Sequence, residues 1–481
     1  MTEGSSIGKK AFSGVIWSSV NQFGTQIFNF VSSLILSRAL SVSDFGCIGM
    51  LTIFIAISST FIDSGFGTAL IQKKDANQND FSTIFFWNIF LSFVVYGILY
   101  FSAPAISVFF HTPILSKVLR VLGIVLIINA LGSLQSNILR KKLRFKKYSI
   151  INILAVFCSA VVGVLFALNG FGVWSLVFQQ ITLAAINTIF YWIFNDWRPS
   201  LVFDIKAFKS LFRYGGFMFL SSLINTIASN VQGLIIGRKF TANEMGLYSQ
   251  GVKFRNIPSN AIPYIITQVL FPVFSQIQDN KEELKRLLKN GDRFLFFLIC
   301  PLMVLLIIIA RPLFILLYTT KWIDAVPYFQ LLCVGGIAIC MCDINYFVVA
   351  AIGKSREIFR WTILKRINTV LFVVIGMYFG IYGVIIGSVI ANFSTYTINA
   401  FLIHKYTTYK FGEQLNDLFG TLIIVLITAS ISVLIFYYLD LNMYIEMFVE
   451  MIFFGLVYFL LSYLFNKELV MGILSLVKKN V

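Results

Sequence analysis

Long apolar runs of about 20 residues, separated by short polar or basic links, recur along the whole sequence. A run of this length spans the hydrocarbon core of a bilayer as an α-helix. The mean hydropathy is +0.84, 58% of the residues are hydrophobic and only 12% are charged, which is more apolar surface than a soluble core needs. The runs are continuous, unlike the alternating segments of about ten residues in a transmembrane β-barrel. We therefore predict an all-α polytopic membrane protein with about fourteen transmembrane helices.

The distribution of basic residues predicts the orientation of the helices. Most of the 38 Lys and Arg residues fall on alternate links, including the run RKKLRFKK (Arg140–Lys147), and by the positive-inside rule these links face the cytoplasm. Both termini then lie on the cytoplasmic side. Topology thus accounts for most of the net charge of +17, and without a visible nucleic-acid-binding motif we expect no nucleic-acid partner.

An internal repeat relates the two halves of the chain. RALSVSDFG (Arg38–Gly46) and RKFTANEMG (Arg238–Gly246) carry Arg, Ser or Thr, an acid and Gly at the same relative places. Later segments follow in the same order. The echoed pairs are Ala103–His111 with Ala310–Tyr318, and Asn169–Val177 with Phe379–Gly387.

The repeat predicts the domain organisation. Residues 1–205 form an N-terminal six-helix lobe, residues 206–411 form its repeat, and residues 412–481 add two transmembrane helices and a cytoplasmic tail. Because six is even, both lobes enter the membrane in the same direction. We expect an axis along the membrane normal to relate them, with a substrate site between them.

Two polar stripes mark the first helix of each predicted lobe. Asn21, Gln22 and Thr25 recur at helical spacing in the first, and Asn225 and Gln232 hold matching places in the second. Hydrocarbon offers such side chains no partner, so they must face protein or water. Hydrogen bonding between helices is one interpretation, and a shared polar cleft is the other. The matching stripes favour the cleft.

The eighth predicted helix carries charge inside the membrane, where charge is costly and usually functional. Lys253 and Asn256 lie on its polar face, which predicts a cavity that binds substrate phosphate. Arg255 lies about 200° away around the helix and would contact a neighbouring helix or the headgroups. Asp63 and Asp343 are acids inside other predicted spans, and they could either couple an ion or form structural pairs.

Other chemistry finds little material in the sequence. The two His residues and the six scattered Cys residues predict no catalytic group, no metal site and no cofactor. The run Arg140–Lys147 is ambiguous. Topology and attraction to anionic lipid is one interpretation, and capture of a diphosphate headgroup is the other.

Several motifs together resemble the bacterial oligosaccharide flippases, the polysaccharide-transport branch of the multidrug/oligosaccharidyl-lipid/polysaccharide exporter superfamily, of the colanic-acid-exporter type. The resemblance covers about residues 8 to 410. It rests on the LSVSDFG turn, FIDSGFGTALIQ, LQSNILRKKLRFKKYS, and GLYSQGVKF through VLFPVFSQIQ.

This resemblance implies alternating access and transfer of an undecaprenyl-diphosphate-linked oligosaccharide from the cytoplasmic to the periplasmic leaflet. It places the chain in the bacterial inner membrane and in O-antigen, capsule or exopolysaccharide biosynthesis. It implies a positively charged cavity, for which Lys253 and Arg255 are the matching positions. It also implies coupling to H⁺ or Na⁺, for which Asp63 or Asp343 are candidates, and contact with membrane lipid and with polymerase or export machinery.

Three alternatives remain open at this point. A multidrug or cation antiporter would prefer an acidic or aromatic pocket, so the basic residues of the eighth helix argue against it. A peptidoglycan-precursor flippase shares the fourteen spans and the basic cavity. A membrane polymerase or ligase is a different class, and it would be expected to carry a large periplasmic loop that this sequence lacks.

Overall fold

The computed structural model describes the backbone of residues 2–63, 66–67, 70, 73, 76–278, 280–439, 441–467 and 471. Within these ranges the side chains of 2–12, 15, 207, 210, 212–215, 217–218, 265, 268–269, 271–272, 343 and 355–356 are outside the description. The helices are α1 Thr2–Ala39, α2 Val42–Asp63, α3 Gln78–Phe109, α4 Ile114–Leu122, α5 Ile124–Lys141, α6 Phe145–Leu168, α7 Val173–Phe194, α8 Ile205–Lys239, α9 Ala242–Gln276, α10 Lys281–Ile308, α11 Ala310–Tyr318, α12 Val326–Ala351, α13 Ser355–Gly376, α14 Gly380–Thr407, α15 Phe411–Tyr438 and α16 Met443–Phe465.

The prediction of an all-α membrane protein is confirmed. Within the described part of the chain, eleven segments are long and apolar enough to cross a bilayer, and one of them, Glu357–Thr407, contains α14 and all but the first two residues of α13. Helices α1 and α9 fall outside these eleven segments. Both are long enough to span, at 38 and 35 residues, but they carry the polar stripe and the intramembrane charges that lower their hydropathy. The predicted number of about fourteen is therefore consistent with the structure.

The chain forms two compact units, Met1–Gly246 and Leu247–Val481. Helix α8 packs on α2 and α3, so it belongs to the first unit. The boundary falls inside α9, after Gly246. Compactness therefore divides the chain about 40 residues later than the repeat does, and the lobes 1–205 and 206–411 remain a prediction about the repeat.

The same order of helix packing recurs in the two units. In the first, α3 packs on α5, α5 on α7, and α6 on α7. In the second, α10 packs on α12, α12 on α14, and α13 on α14. These helices hold the third to sixth places of each predicted repeat, so the packing supports the repeat that the motifs indicate.

The last two helices dock on the second unit. Helix α15 packs on α10 and α16. Tyr458 of α16 donates a hydrogen bond to the carbonyl of Phe297 on α10, at 2.8 Å. The rest of α16 exposes large apolar side chains such as Ile452 and Leu456, which suits a helix in contact with lipid.

The repeated motif forms a capping box at the start of α2 and again at the start of α9. The Asp44 carboxylate accepts hydrogen bonds from the backbone and hydroxyl of Ser41, and the Ser41 hydroxyl accepts from the Asp44 amide. Thr241 and Glu244 make the same three bonds. Each box satisfies amide groups that a helix N-terminus leaves without a partner. The conserved spacing of the two copies therefore has a structural cause.

The glycines of the two motifs bring the same helix ends into contact. A Cβ on Gly46 would stand well inside 3.0 Å of the Ala242 carbonyl oxygen, and a Cβ on Gly246 equally close to the Val42 carbonyl oxygen. All four residues belong to the first unit. Only glycine permits backbones to approach this closely. The first turns of α2 and α9 therefore form a reciprocal contact, which we call the glycine contact.

Candidate functional site

The polar stripe of α1 is accessible on the side opposite its apolar face. Asn29 is exposed, while Asn21, Gln22 and Thr25 are half-buried. At about 100° per residue, these side chains lie roughly opposite the exposed Ile27. A helix that exposes polar and apolar side chains on opposite sides faces two environments. Lipid suits the apolar side, and water suits the polar side.

Helix α8 is built in the same way. Ser222 and Ser229 are exposed, and Asn225 and Gln232 are half-buried beside them. Leu220, which is 50% exposed, projects from the opposite side. The two stripes that the sequence predicts are thus both accessible polar faces within the first unit.

Helix α2 lies against α8 along its length. The hydroxyls of Thr60 and Thr226 hydrogen-bond at 3.1 Å, and the rings of Phe61 and Phe219 lie 5.2 Å apart. At the other end, a Cβ on Gly237 would meet Met50 and Phe110. The polar face of α8 is therefore fixed beside α2 at one end by aromatic packing and at the other by the approach to Gly237. Sequence reasoning missed Thr60 and Thr226, although both lie on predicted spans.

Lys253 of α9 is exposed, and so is Asn260 two turns further along the same face. Among the described residues none forms a hydrogen bond or an ion pair with Lys253. Asn256 is half-buried beside it. The only large apolar side chain exposed on the described part of α9 is Val273. The accessible face of this helix is therefore polar and carries an unneutralised positive charge.

Arg255 lies on the opposite side of α9 and is 9% exposed. A Cβ on Gly336 of α12 would stand 3.1 Å from its Cδ and 3.2 Å from the Ser259 hydroxyl. Gly251, one turn earlier, approaches Phe329 and Leu332 of the same helix. Arg255 thus meets a neighbouring helix, which was one of the two places expected for it. It does not share the accessible face of Lys253, because the two residues are about 200° apart.

Asp63, at the end of α2, is exposed. A Cβ on Gly67 would lie 3.2 Å from its Oδ1 and 2.6 Å from Nδ2 of Asn137, so both side chains converge over this glycine. Arg140 of α5 is near enough for its charge to act on Asp63. Ion coupling at Asp63 remains a prediction. The side chain of Asp343 lies outside the described residues.

The basic run Arg140–Lys147 makes several contacts inside the first unit. The Lys141 ammonium donates to the carbonyls of Leu70 and Lys73, at 2.6 Å each. The Arg140 guanidinium stacks on Tyr148, and the Lys146 ammonium on Trp17. These contacts hold Arg140, Lys141 and Lys146 against the first unit, and both interpretations of the run stay predictions. The contacts leave Lys142 and Lys147 exposed.

One basic side chain of the second unit escaped sequence reasoning because it falls next to a cluster of basic residues assigned to a link. Lys365 lies about three turns inside α13 and donates to Oδ1 of Asn399 on α14, at 2.9 Å. Nδ2 of Asn399 in turn donates to the carbonyl of Cys342, at 3.2 Å. The sequence could have shown that Lys365 lies inside the span, because Lys365 is about three helical turns beyond the turn at Gly353. Within the ranges that the structure describes, no group of three or more His, Cys, Asp or Glu residues could hold a metal.

These features define a class of protein: a multi-pass membrane protein with two helical units and accessible polar faces inside apolar helices. The profile of a family described as "Polysaccharide biosynthesis protein" matches residues 35–327. The chain belongs to this family.

Relatives with curated names agree with the family. The chain is 27% identical over 358 residues to the teichuronic acid biosynthesis protein TuaB of Bacillus subtilis (strain 168), covering 74% of each chain. It is 24% identical to the succinoglycan biosynthesis transport protein ExoT of Rhizobium meliloti (strain 1021), covering 73% of this chain and 72% of that one. It is also 24% identical to the lipopolysaccharide biosynthesis protein WzxC of Escherichia coli (strain K12), covering 83% and 82%.

Solved structures show the fold. The lipid II flippase MurJ in an inward closed conformation superposes with a TM-score of 0.80 at 15% identity, covering 95% of this chain and all of that one. An inward-facing multidrug resistance MATE family transporter of the MOP superfamily superposes with a TM-score of 0.64 at 16% identity, covering 82% and 98%. The predicted fold class, an all-α polytopic membrane protein, is thus confirmed, and the chain shares its fold with both of these structures.

Proposed function

We propose that this chain is a flippase for a lipid-linked oligosaccharide. It moves an undecaprenyl-diphosphate-linked repeat unit from the cytoplasmic to the periplasmic leaflet, for O-antigen, capsule or exopolysaccharide biosynthesis. The observation that carries the proposal is Lys253, an exposed ammonium without a partner among the described residues, on a polar face of a membrane helix. The names of the relatives, which include a transport protein for succinoglycan, support the substrate class.

The chemistry of the substrate explains the residues. A diphosphate with several sugars cannot enter hydrocarbon, so a flippase must offer it hydroxyl and amide partners and positive charge. Asn21, Gln22 and Thr25 supply such partners on α1, and Asn225 and Gln232 supply them on α8. Lys253, with Asn256 beside it, supplies the charge for the phosphates. Arg255 acts indirectly, because its contact with Gly336 fixes how α9 presents Lys253.

Alternating access requires that one side of the pathway close while the other opens. The glycine contact joins the first turns of α2 and α9, which on the predicted topology lie on the periplasmic side. We assign this contact to the closed state of that side. The two repeats, which we expect to be related by an axis along the membrane normal, then rock against each other to open the other side. Coupling to H⁺ or Na⁺ supplies the direction, with Asp63, an exposed acid at the end of α2, as the candidate in the first unit.

The remaining assignments follow from this function. The chain lies in the bacterial inner membrane with both termini in the cytoplasm, as the basic links indicate. It is a transporter and not an enzyme, and it needs no cofactor. Its product, a periplasmic lipid-linked repeat unit, is the substrate of a polymerase, so polymerase and export machinery are its expected partners.

A peptidoglycan-precursor flippase is the second candidate, and the superposition on MurJ favours it. Both substrates combine a polyprenyl diphosphate with sugars, so Lys253 would serve either. The family profile and the three named relatives favour polysaccharide. A multidrug antiporter is less consistent, because a cationic drug would be repelled by Lys253.

The decisive experiment is Lys253→Ala in a host that lacks the chromosomal copy. Loss of a charged hydrogen bond to phosphate weakens binding by about 1.5–3 kcal/mol, so we expect export of surface polysaccharide to fall by about tenfold or more. Lipid-linked repeat units should accumulate while the abundance of the protein in membranes stays unchanged. Lys253→Arg should restore export.

Lys117→Ala is the matched control, since Lys117 is an exposed lysine of α4 that lies outside the proposed site. Its export should equal that of the wild type. Wild-type export by Lys253→Ala, at equal abundance, would remove the proposed role of the ammonium. If deletion of the gene instead stops cell-wall synthesis while surface polysaccharide is still made, the peptidoglycan-precursor flippase is favoured.

A further inference from the structure

A buried carboxyl group without a partner lies in the second unit, and none of the roles above uses it. Asp292 of α10 is 1% exposed, and neither of its oxygens has a hydrogen-bond partner among the described residues. An ionised carboxylate in this position would lose its hydration without gaining a cation or a donor. The neutral, protonated form is therefore the one that the site stabilises.

Other acids close to Asp292 are paired. The Asp417 carboxylate of α15 binds the Lys289 ammonium at 2.6 Å and accepts a hydrogen bond from the Tyr409 hydroxyl at 2.7 Å. Burial raises the pKa of the Tyr409 phenol, which therefore keeps its proton and remains a donor. Glu413 pairs with Lys285 at 2.6 Å. Asp292 is thus the one acid of this group, as far as the structure describes it, that no cation neutralises.

Among the side chains that the structure describes, the helices around Asp292 contribute no cation in contact with it. Arg293 follows it directly on α10, and adjacent residues of a helix do not face each other. Tyr396 of α14 donates a hydrogen bond to the Gln414 side chain, at 3.3 Å. Helix α16 reaches α10 further along, at Phe297. Among the described residues, the titratable and charged groups at this level are Lys285, Lys289 and Arg293 of α10, Cys342 of α12, Tyr396 of α14, Tyr409 and Lys410 of the link, and Glu413 and Asp417 of α15.

Lys289 is close enough along α10 to pair with either of two carboxylates, Asp417 or Asp292. It precedes Asp292 by three residues on α10, a spacing that puts both side chains on one face of the helix. In the conformation described here its ammonium binds Asp417. A movement of α15 away from α10 would free this ammonium to reach Asp292. Asp292 would then be stabilised as a carboxylate and would release its proton to water.

We propose that Asp292 is a proton-binding site of the second unit, protonated while Lys289 binds Asp417 and ionised when Lys289 turns to Asp292. A proton suits the site better than a metal cation. A hard cation needs about six oxygen ligands, whereas Asp292 has an ammonium three residues away. Asn345 of α12 is also 1% exposed and has no partner for either side-chain polar atom among the described residues, so Asp292 is not alone in the second unit in being buried outside a complete hydrogen-bond network.

This inference rests on the proposed function only for its consequence, the coupling of a proton to transport. The site itself can be tested without substrate. Dicyclohexylcarbodiimide enters membranes and reacts with protonated carboxyl groups: the acid O–H adds across a C=N bond, and the adduct rearranges to a stable N-acylurea from which nothing leaves. We would label the full chain in lipid vesicles at acidic and alkaline pH and locate adducts by peptide mass spectrometry.

We expect an adduct on Asp292 that increases at acidic pH and is absent in Asp292→Asn. Asp417 should remain unlabelled because the Lys289 ammonium and the Tyr409 hydroxyl already bind its carboxylate. Denatured protein, labelled at both positions, controls for the reactivity of the peptides. An unlabelled Asp292 in the folded chain overturns the proposal. Protection of Asp292 by Na⁺ at constant pH, absent with K⁺, overturns it in favour of a cation site.

The coupling is tested by polysaccharide export. Asp292→Asn remains neutral at every pH, so export should fall at least tenfold while abundance and elution of the purified protein stay those of the wild type. Wild-type export by this variant overturns the coupling. The two proposals can fail separately. If Asp292 is labelled as expected but Lys253→Ala exports normally, the proposed function is contradicted while the proton-binding site stands.

Discussion

Helices α2 and α9 are the second helices of the two repeats, and they differ in what they carry on the same scaffold. Both begin with a capping box, and each supplies a glycine to the glycine contact. Both expose few large apolar side chains, Phe61 on α2 and Val273 on the described part of α9. Both are thus shielded from lipid. The repeat has therefore duplicated a lipid-shielded helix together with its N-terminal capping box.

The charges of these two helices are not duplicated. The repeat equivalent of Lys253 is Ile53, which is 5% exposed, and the equivalent of Asp63 is Pro263. Each helix therefore carries one exposed charge, of opposite sign and at a different depth. Acid and base at different depths suit different tasks, the acid for a cation and the base for phosphate. The comparison teaches that the repeat preserves packing and that function has been placed in the positions where the copies diverge.

The largest effect on stability is expected when the lysine of α9 is introduced at the equivalent position of α2. Ile53→Lys buries an ammonium without a partner, which should destabilise the first unit by about 3 kcal/mol or more. Lys253→Ile, the reciprocal change, removes an exposed charge and should leave stability nearly unchanged. The midpoint of thermal unfolding of the purified protein measures both.

Ile53→Leu is the control for a change of shape alone, which costs less than about 1.5 kcal/mol. Equal midpoints for Ile53→Lys and Ile53→Leu would show that α2 exposes this position as α9 exposes Lys253. The asymmetry between the two copies would then be lost.

Much of the fold could be predicted from the sequence, because hydropathy and repeated motifs are local signals. The apolar runs predicted the helices, and the spacing from Arg38 and Arg238 predicted the repeat. The side on which a residue lies was also predictable, as Lys253 and Arg255 demonstrate. The partners were not, because Thr60 with Thr226 and Lys289 with Asp417 join helices distant in the chain. Asp292 was overlooked because it follows a basic amphipathic stretch and only burial distinguishes it from a residue of a surface link.

A smaller effect is expected at the glycine contact. Gly46→Ala places a Cβ against the Ala242 carbonyl, which should cost about 1–3 kcal/mol by overpacking. Gly97→Ala is the control, since nothing lies within 4 Å of a Cβ there. In a helix, Ala is favoured over Gly by about 1 kcal/mol, so Gly97→Ala should raise the unfolding midpoint slightly. A rise of the same size in Gly46→Ala would contradict the close approach of the two helices.

The smallest effect concerns the capping boxes and tests what the two copies share. Asp44→Ala and Glu244→Ala each remove the acceptor of two hydrogen bonds at a helix N-terminus and a negative charge that favours that end of the helix. Each should lower stability by about 1 kcal/mol. Asp44→Asn and Glu244→Gln keep an acceptor oxygen and should lose less. Because both caps have the same geometry, the two losses should agree, in contrast to the unequal effects at positions 53 and 253. If only one of the two variants loses stability, the caps have diverged as the charges have. The repeat would then preserve the course of the backbone but not the interactions that stabilise it.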